Sequence, residues 1–111
     1  TLRSVPITQD QPEDAPVVAK RFALEQNVPN PFNPQTTIAF SLAQAGPVQM
    51  NVYDVAGRRV ATLVDGNLPA GPHSVIWEGR DSAGRAVASG TYFYVLNTSD
   101  RRVAKRMVLV K

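Results

Sequence analysis

The sequence predicts an all-β fold: an antiparallel β-sandwich of about seven short strands. Three observations predict it. From Phe22 onward apolar residues recur with period two, and no window carries a convincing helical period. Turn residues interrupt these windows at spacings of about 8–12 residues, the rhythm of sandwiches. The chain has no cysteine, so an immunoglobulin-like arrangement here must stand without its disulfide.

Residues 1–21 read as a flexible, Pro-rich linker. Pro6, Pro12 and Pro16 punctuate it, and Gln9 to Asp14 is polar without period. Such a segment buries too little apolar surface to offset the entropy of ordering it. Residues 22–111 read as one domain with one modest core. Phe22 and Leu24 open a short first strand. Ile38, Phe40 and Leu42 alternate with smaller residues, and Val48, Met50 and Val52 alternate with polar ones. Val60 to Val64 is a strand of uncertain phase, because both Val60 and Leu63 look buried, and such a slip predicts a bulge. Val75 and Trp77 share a face. Tyr92 to Leu96 is apolar on both faces, which predicts a central strand. Val103 to Val110 closes the domain.

The punctuation agrees. Asp54-Val55-Ala56-Gly57 and Asp81-Ser82-Ala83-Gly84 are both Asp-x-x-Gly tetrads followed by Arg. Asp caps a type I turn and Gly supplies the positive φ that follows, so both predict tight hairpin turns. Asp65-Gly66-Asn67 and Ala70-Gly71-Pro72 predict a looser connection. Pro29-Asn30-Pro31-Phe32-Asn33-Pro34 alternates proline with asparagine around one aromatic. It can be neither helix nor central strand. It predicts a stiff, extended strut between sheets, with Phe32 plugged into the sandwich edge and the asparagines capping local turns.

Little chemistry is on offer. His73 is the one histidine and stands beside no nucleophile motif. Asp54 and Asp81 are explained as turn caps. There is no phosphate loop and no calcium-loop pattern. No catalytic residue, metal ligand or cofactor is expected. Trp77, Tyr92 and Tyr94 lie in phase with aliphatic residues and read as core before they read as a sugar-stacking platform. Arg58, Arg80 and Arg85 follow turns and either pair with nearby acids or are solvated. No apolar run approaches the ~20 residues that span a bilayer, so membrane insertion is not expected. Net charge is +3, and Arg101, Arg102, Lys105, Arg106 and Lys111 crowd the last eleven residues without an acid among them. That is either a solvated edge strand that discourages aggregation or a basic tail for an acidic partner. Nucleic acid is not the expected partner, since the bases do not interleave with aromatics.

The order of these motifs is itself informative. Leu24-Glu25-Gln26-Asn27 precedes the proline hexapeptide. Val52 to Arg58, Ala70-Gly71-Pro72-His73, Trp77-Glu78-Gly79-Arg80-Asp81, Ser89-Gly90-Thr91-Tyr92 and Lys105-Arg106-Met107-Val108-Leu109-Val110-Lys111 follow. The series, over 22–111, resembles the type A C-terminal sorting domain of the type IX secretion system. More distantly it resembles the immunoglobulin-like domain of flagellar hook-capping proteins. The resemblance implies a non-catalytic C-terminal module of a larger secreted enzyme, such as a glycoside hydrolase, or adhesin. It implies export through the periplasm and across the outer membrane, then attachment at the cell surface or release. The implied partners are the type IX machinery and surface components of the outer membrane. The implied recognition residues are Lys105, Arg106, Met107, Val108, Leu109, Val110 and Lys111. Pro29 to Pro34, Gly57, Gly71, Trp77, Gly79, Gly84 and Gly90 are expected to be structural. Arg106 stands where the family usually has lysine. Two other classes fit the composition: a carbohydrate- or cell-wall-binding sandwich, and a structural assembly domain.

Overall fold

The computed structural model describes residues 21–111. The expected linker therefore lies outside the described residues, apart from Arg21. Seven strands form two antiparallel sheets: β1 (Ala23–Leu24), β2 (Thr36–Leu42), β3 (Gly46–Tyr53), β4 (Arg59–Leu68), β5 (Gly71–Trp77), β6 (Gly90–Asn97) and β7 (Arg102–Leu109). The smaller sheet has the order β1-β2-β5 and the larger β4-β3-β6-β7.

Period two in the sequence becomes burial of one face. Ile38, Phe40 and Leu42 of β2 point inward, as do Val48, Met50 and Val52 of β3. Tyr92, Tyr94 and Leu96 of β6 and Met107 and Leu109 of β7 complete the large sheet's inner face. Removing each large apolar side chain from water stabilises the fold by about 1.5–3 kcal/mol. β6 pairs with both β3 and β7, which makes it the central strand its apolar run predicts. Val95, on the outer face, is buried as well.

Three local readings change. β4 carries two register shifts where one bulge was expected: Leu63 and Val60 each fall between paired residues. Both are half-buried, and Ala61 takes the core position opposite Val52. Asp65-Gly66-Asn67 does not bound a loose connection but continues β4, because Gly66 pairs with Val48 and Asn67 with Pro47. Strand pairing has overridden turn propensity there. Gly71 likewise begins β5 at a φ of 111°, so only Pro69 and Ala70 separate β4 from β5.

The two Asp-led turns share one geometry. Gly57 N donates to Asp54 O at 3.0 Å and Gly84 N to Asp81 O at 2.9 Å, and both glycines have φ near 85°. The first turn joins the paired strands β3 and β4. The second lies between sheets and is flanked by a single bridge, Arg80 to Ala86, so it closes a hairpin of one rung.

Candidate functional site

Two motifs remote in the sequence meet at the edge of the larger sheet. β7 pairs with β6 on one side only. On its other side lies the proline segment. Phe32 bridges Leu109 in parallel. Phe32 N donates to Val108 O at 3.0 Å, and Val110 N donates to Phe32 O at 2.9 Å. Val108 N donates to Asn30 Oδ1 at 3.0 Å, and Gln26 Nε2 donates to Arg106 O at 2.7 Å. The last residues of β7 are thus clasped by residues 26–32. The expectation that Asn30 caps a local turn is corrected, since its side chain serves a strand some eighty residues away. The segment is also bent from Pro29 to Pro31 and again at Asn33 and Pro34, not extended. Its Val28–Pro29, Asn30–Pro31 and Asn33–Pro34 bonds are cis.

The clasp is anchored from beneath. Phe32 is 2% exposed, its ring centroid 5.7 Å from that of Trp77. Trp77 meets Tyr92 edge-on at 5.4 Å, and its Nε1 donates to Arg80 O at 2.9 Å. Gly79 has φ 71°, and a Cβ there would stand 3.1 Å from Pro34 O and 3.6 Å from a Leu109 methyl. Only glycine lets strut, β5 exit and β7 converge so closely. Upstream, the buried Asn27 holds the segment's entry. Its side-chain amide donates to Pro29 O and Thr36 Oγ1, both at 3.0 Å, and its backbone N donates to the Tyr94 hydroxyl at 2.9 Å. That hydroxyl donates in turn to Glu25 O at 2.6 Å. Burial pushes the Tyr94 phenol up to about 12. Nothing in the sequence pattern marked Asn27 and Thr36 as buried; an Asn or Thr enters a core only with its partners supplied.

The recognition residues expected on the tail divide by parity. Met107 and Leu109 are buried, and Lys105 is half-buried on the same inward phase. Arg106 and Val110 are exposed outward with Arg102 and Ala104, and Val108 is half-exposed between them. Arg102 belongs to this outward row and escaped the motif reading. Among the described residues the ion pairs are Arg58–Asp54 and Arg85–Asp81, so the charges of β7 stand without a carboxylate partner. Arg101 lies over the Phe22 ring at 5.0 Å. Lys111 is exposed, and its backbone N donates to Ser89 Oγ at 3.0 Å. The outward row therefore carries charge in its first half and aliphatic surface in its second.

The remaining motif residues sit in turns, at strand starts and in the core. Gly57, Gly71, Gly79, Gly84 and Gly90 all adopt positive φ. Trp77, Tyr92 and Tyr94 are core, so these three form no exposed aromatic platform. His73 stacks on Phe40 and places Nε2 2.7 Å from Pro69 O. Among the described residues no group of three or more His, Asp or Glu converges as a metal site would, and no helix is long and apolar enough to cross a membrane.

Two packed antiparallel sheets of three and four strands, without cysteine, define an immunoglobulin-like β-sandwich domain. The model of the FlgD Ig-like domain family matches residues 27–101, and the chain belongs to that family. Solved structures share the fold. Dimeric latent PorU from Porphyromonas gingivalis superposes with a TM-score of 0.63 at 22% identity, over 78% of this chain and 9% of PorU. PorZ, described as an essential bacterial surface component of the type IX secretion system of the same organism, gives 0.56 at 21% identity, over 89% and 12%. FlgD from Xanthomonas campestris, described in connection with hook capping in flagellar assembly, gives 0.56 at 22% identity, over 78% and 64%. The chain thus spans about a tenth of PorU and PorZ. A comparison with curated sequences found no significant match.

Proposed function

We propose that this domain is a non-catalytic C-terminal address, carried by a larger secreted enzyme or adhesin and read by type IX export machinery at the outer membrane. The observation that carries the reading is the clasp. The two most distinctive motifs of the sequence, Pro29 to Pro34 and Lys105 to Lys111, build one surface. Strand addition along the whole of β7 is not available to a reader, because residues 26–32 already occupy the edge from Arg106 to Val110. The reader instead meets the outward side chains Arg102, Arg106, Val108 and Val110, with Lys111 beside them. Unpaired positive charge favours encounter with an acidic surface, and the adjoining aliphatic pair supplies apolar contact. Structural likeness to PorU and PorZ, one of them a surface component of that machinery, supports the same direction.

The test fuses residues 22–111 to a periplasmic reporter in a host with type IX export. Reversal to Glu at Arg102, Arg106 and Lys111 is expected to leave the melting temperature within a few degrees, since exposed charges contribute little, and to retain the reporter in the periplasm. Lys105 is left intact because it is half-buried. Surface delivery of the folded triple variant rejects the proposal. A second reading, a structural assembly domain, is favoured by the family match to FlgD. Concentration-dependent self-association of the domain in sedimentation supports it.

A further inference from the structure

The two Asp-x-x-Gly-Arg turns, 27 residues apart in sequence, lie side by side. Ser82 N donates to Val60 O at 3.1 Å and fastens the second turn against β4. Between them opens a cleft of about 530 Å³, lined by three arginines, Arg58, Arg59 and Arg85, by two carboxylates, Asp54 and Asp81, and by Val60 and Val87 among others. That size is within the range of ligand pockets.

Each turn orients its arginine in the same way. Asp54 Oδ1 accepts from the backbone N of Ala56 and of Arg58, at 2.9 and 3.0 Å, and Oδ2 accepts from Arg58 Nε at 3.0 Å. Asp81 Oδ1 accepts from Ala83 N and Arg85 N, both at 2.9 Å, and Oδ2 stands 3.6 Å from Arg85 Nε. These backbone hydrogen bonds, with the arginine charge adding to them, hold both carboxyls below the usual 3.8. The carboxylates stay ionised, and each Oδ1 accepts two backbone hydrogen bonds within its own turn. The arginines differ: each side chain is 81% exposed and is held through Nε only. The two Nη atoms at the tip of each guanidinium remain open, an end-on fork that matches a carboxylate. Arg59 adds a third cation, without an ion-pair partner among the described residues.

We propose that this cleft is a receptor for an acidic peptide segment of a partner protein, with side-chain carboxylates held end-on by Arg58 and Arg85. The donor set selects the class. A sugar hydroxyl needs acceptors as well as donors, and three of the four carboxylate oxygens, Asp54 Oδ1 and Oδ2 and Asp81 Oδ1, already accept within their own turns. A ligand that only accepts suits the open forks. Two forks on separate turns call for two carboxylates on one flexible carrier. The Val60 and Val87 side chains suit the methylene stems of glutamate. The site lies on the turns and not on β7, so it stands or falls apart from the export reading.

The experiment titrates the 111-residue chain with acetylated hexaglutamate and follows backbone amide shifts. Saturable shifts are expected at residues 56–60 and 82–87. Arg58→Gln with Arg85→Gln is expected to weaken binding about tenfold or more through the lost charge-assisted bonds. Arg58→Lys with Arg85→Lys is expected not to restore it, because lysine keeps the charge without the fork. Unchanged melting temperature keeps the variants comparable. Shifts confined to β7, full affinity in the lysine variant, or absence of saturable binding overturns the proposal. Saturation of the same amides by polygalacturonate or inorganic phosphate in preference to the peptide overturns the ligand class.

Discussion

Phe32→Ala tests whether one ring holds the strut to the sandwich. Phe32 is 2% exposed and packs on Trp77. A buried aromatic removes roughly 150–250 Å² from water. At ~25 cal/mol per Å² this amounts to about 4–6 kcal/mol, an upper value because unfolded chains are already partly compact. Measured truncations of buried Phe cost about 3–5 kcal/mol once cavity and relaxation are included. About 4 kcal/mol is therefore expected, against the 5–15 kcal/mol typical of a whole domain. Urea unfolding of the wild type and variant, at equal slope, measures the difference. The thermal midpoint is expected to fall by roughly 15–30 °C. Native-state hydrogen exchange adds the location. The amides of Val108 and Val110 should lose protection first, since their acceptors, Asn30 Oδ1 and Phe32 O, sit on the strut. Phe32→Leu should recover most of the loss. A cost below about 1 kcal/mol for the alanine variant refutes the anchoring argument, because losses that small are ordinary for surface positions.

Trp77→Ala should cost a similar ~3–5 kcal/mol by denaturant melts and should raise exchange at Val108 in parallel with Phe32→Ala. Gly79→Ala should destabilise more than Gly84→Ala. Both put a Cβ at positive φ, at about 1–2 kcal/mol, but only Gly79 also meets a carbonyl oxygen at 3.1 Å. Tyr94→Phe leaves the buried Asn27 N without its acceptor, at about 1–3 kcal/mol in the same assay. The same phenol sets an alkaline dependence. Its folded pKa, about 12, exceeds the ordinary ~10, so the native state holds more protons than the unfolded one. Stability should be full below pH ~10 and fall as pH rises toward about 12. Unfolding free energies across that window should show the slope, and Tyr94→Phe should flatten most of it. Tyr92, also raised by burial, supplies the remainder.

The strands were legible wherever one face is buried and the other wet. Ile38, Phe40 and Leu42 announce β2, and the apolar run from Tyr92 to Leu96 announces a strand flanked on both sides. The Asp-led turns were legible because their chemistry is local: one carboxylate, two amides and a glycine within five residues. The end of β4 was not, because Asp65, Gly66 and Asn67 have turn propensities that only pairing with Pro47 to Gln49 outweighs. The clasp was half legible. The strut and its aromatic plug could be read from the prolines and Phe32. That Asn30 serves Val108 could not, since no local pattern encodes a bond spanning 78 residues. The candidate cleft was hidden for the same reason. Each turn is visible alone, but their adjacency, marked by the bond from Ser82 to Val60, is tertiary.

The bridge between Phe32 and Leu109 also sets an order in time. It joins positions near the two ends of the described chain. Contacts of such long sequence separation form late, after the entropy of the intervening loop has been overcome. Until residues 107–110 are present, Phe32 has no strand to lie against, and β6 keeps an open edge next to the core. A chain emerging from the N-terminal end would thus remain unlatched until its final strand appears. The segment that completes the fold is the same one that displays the outward row of arginines and valines.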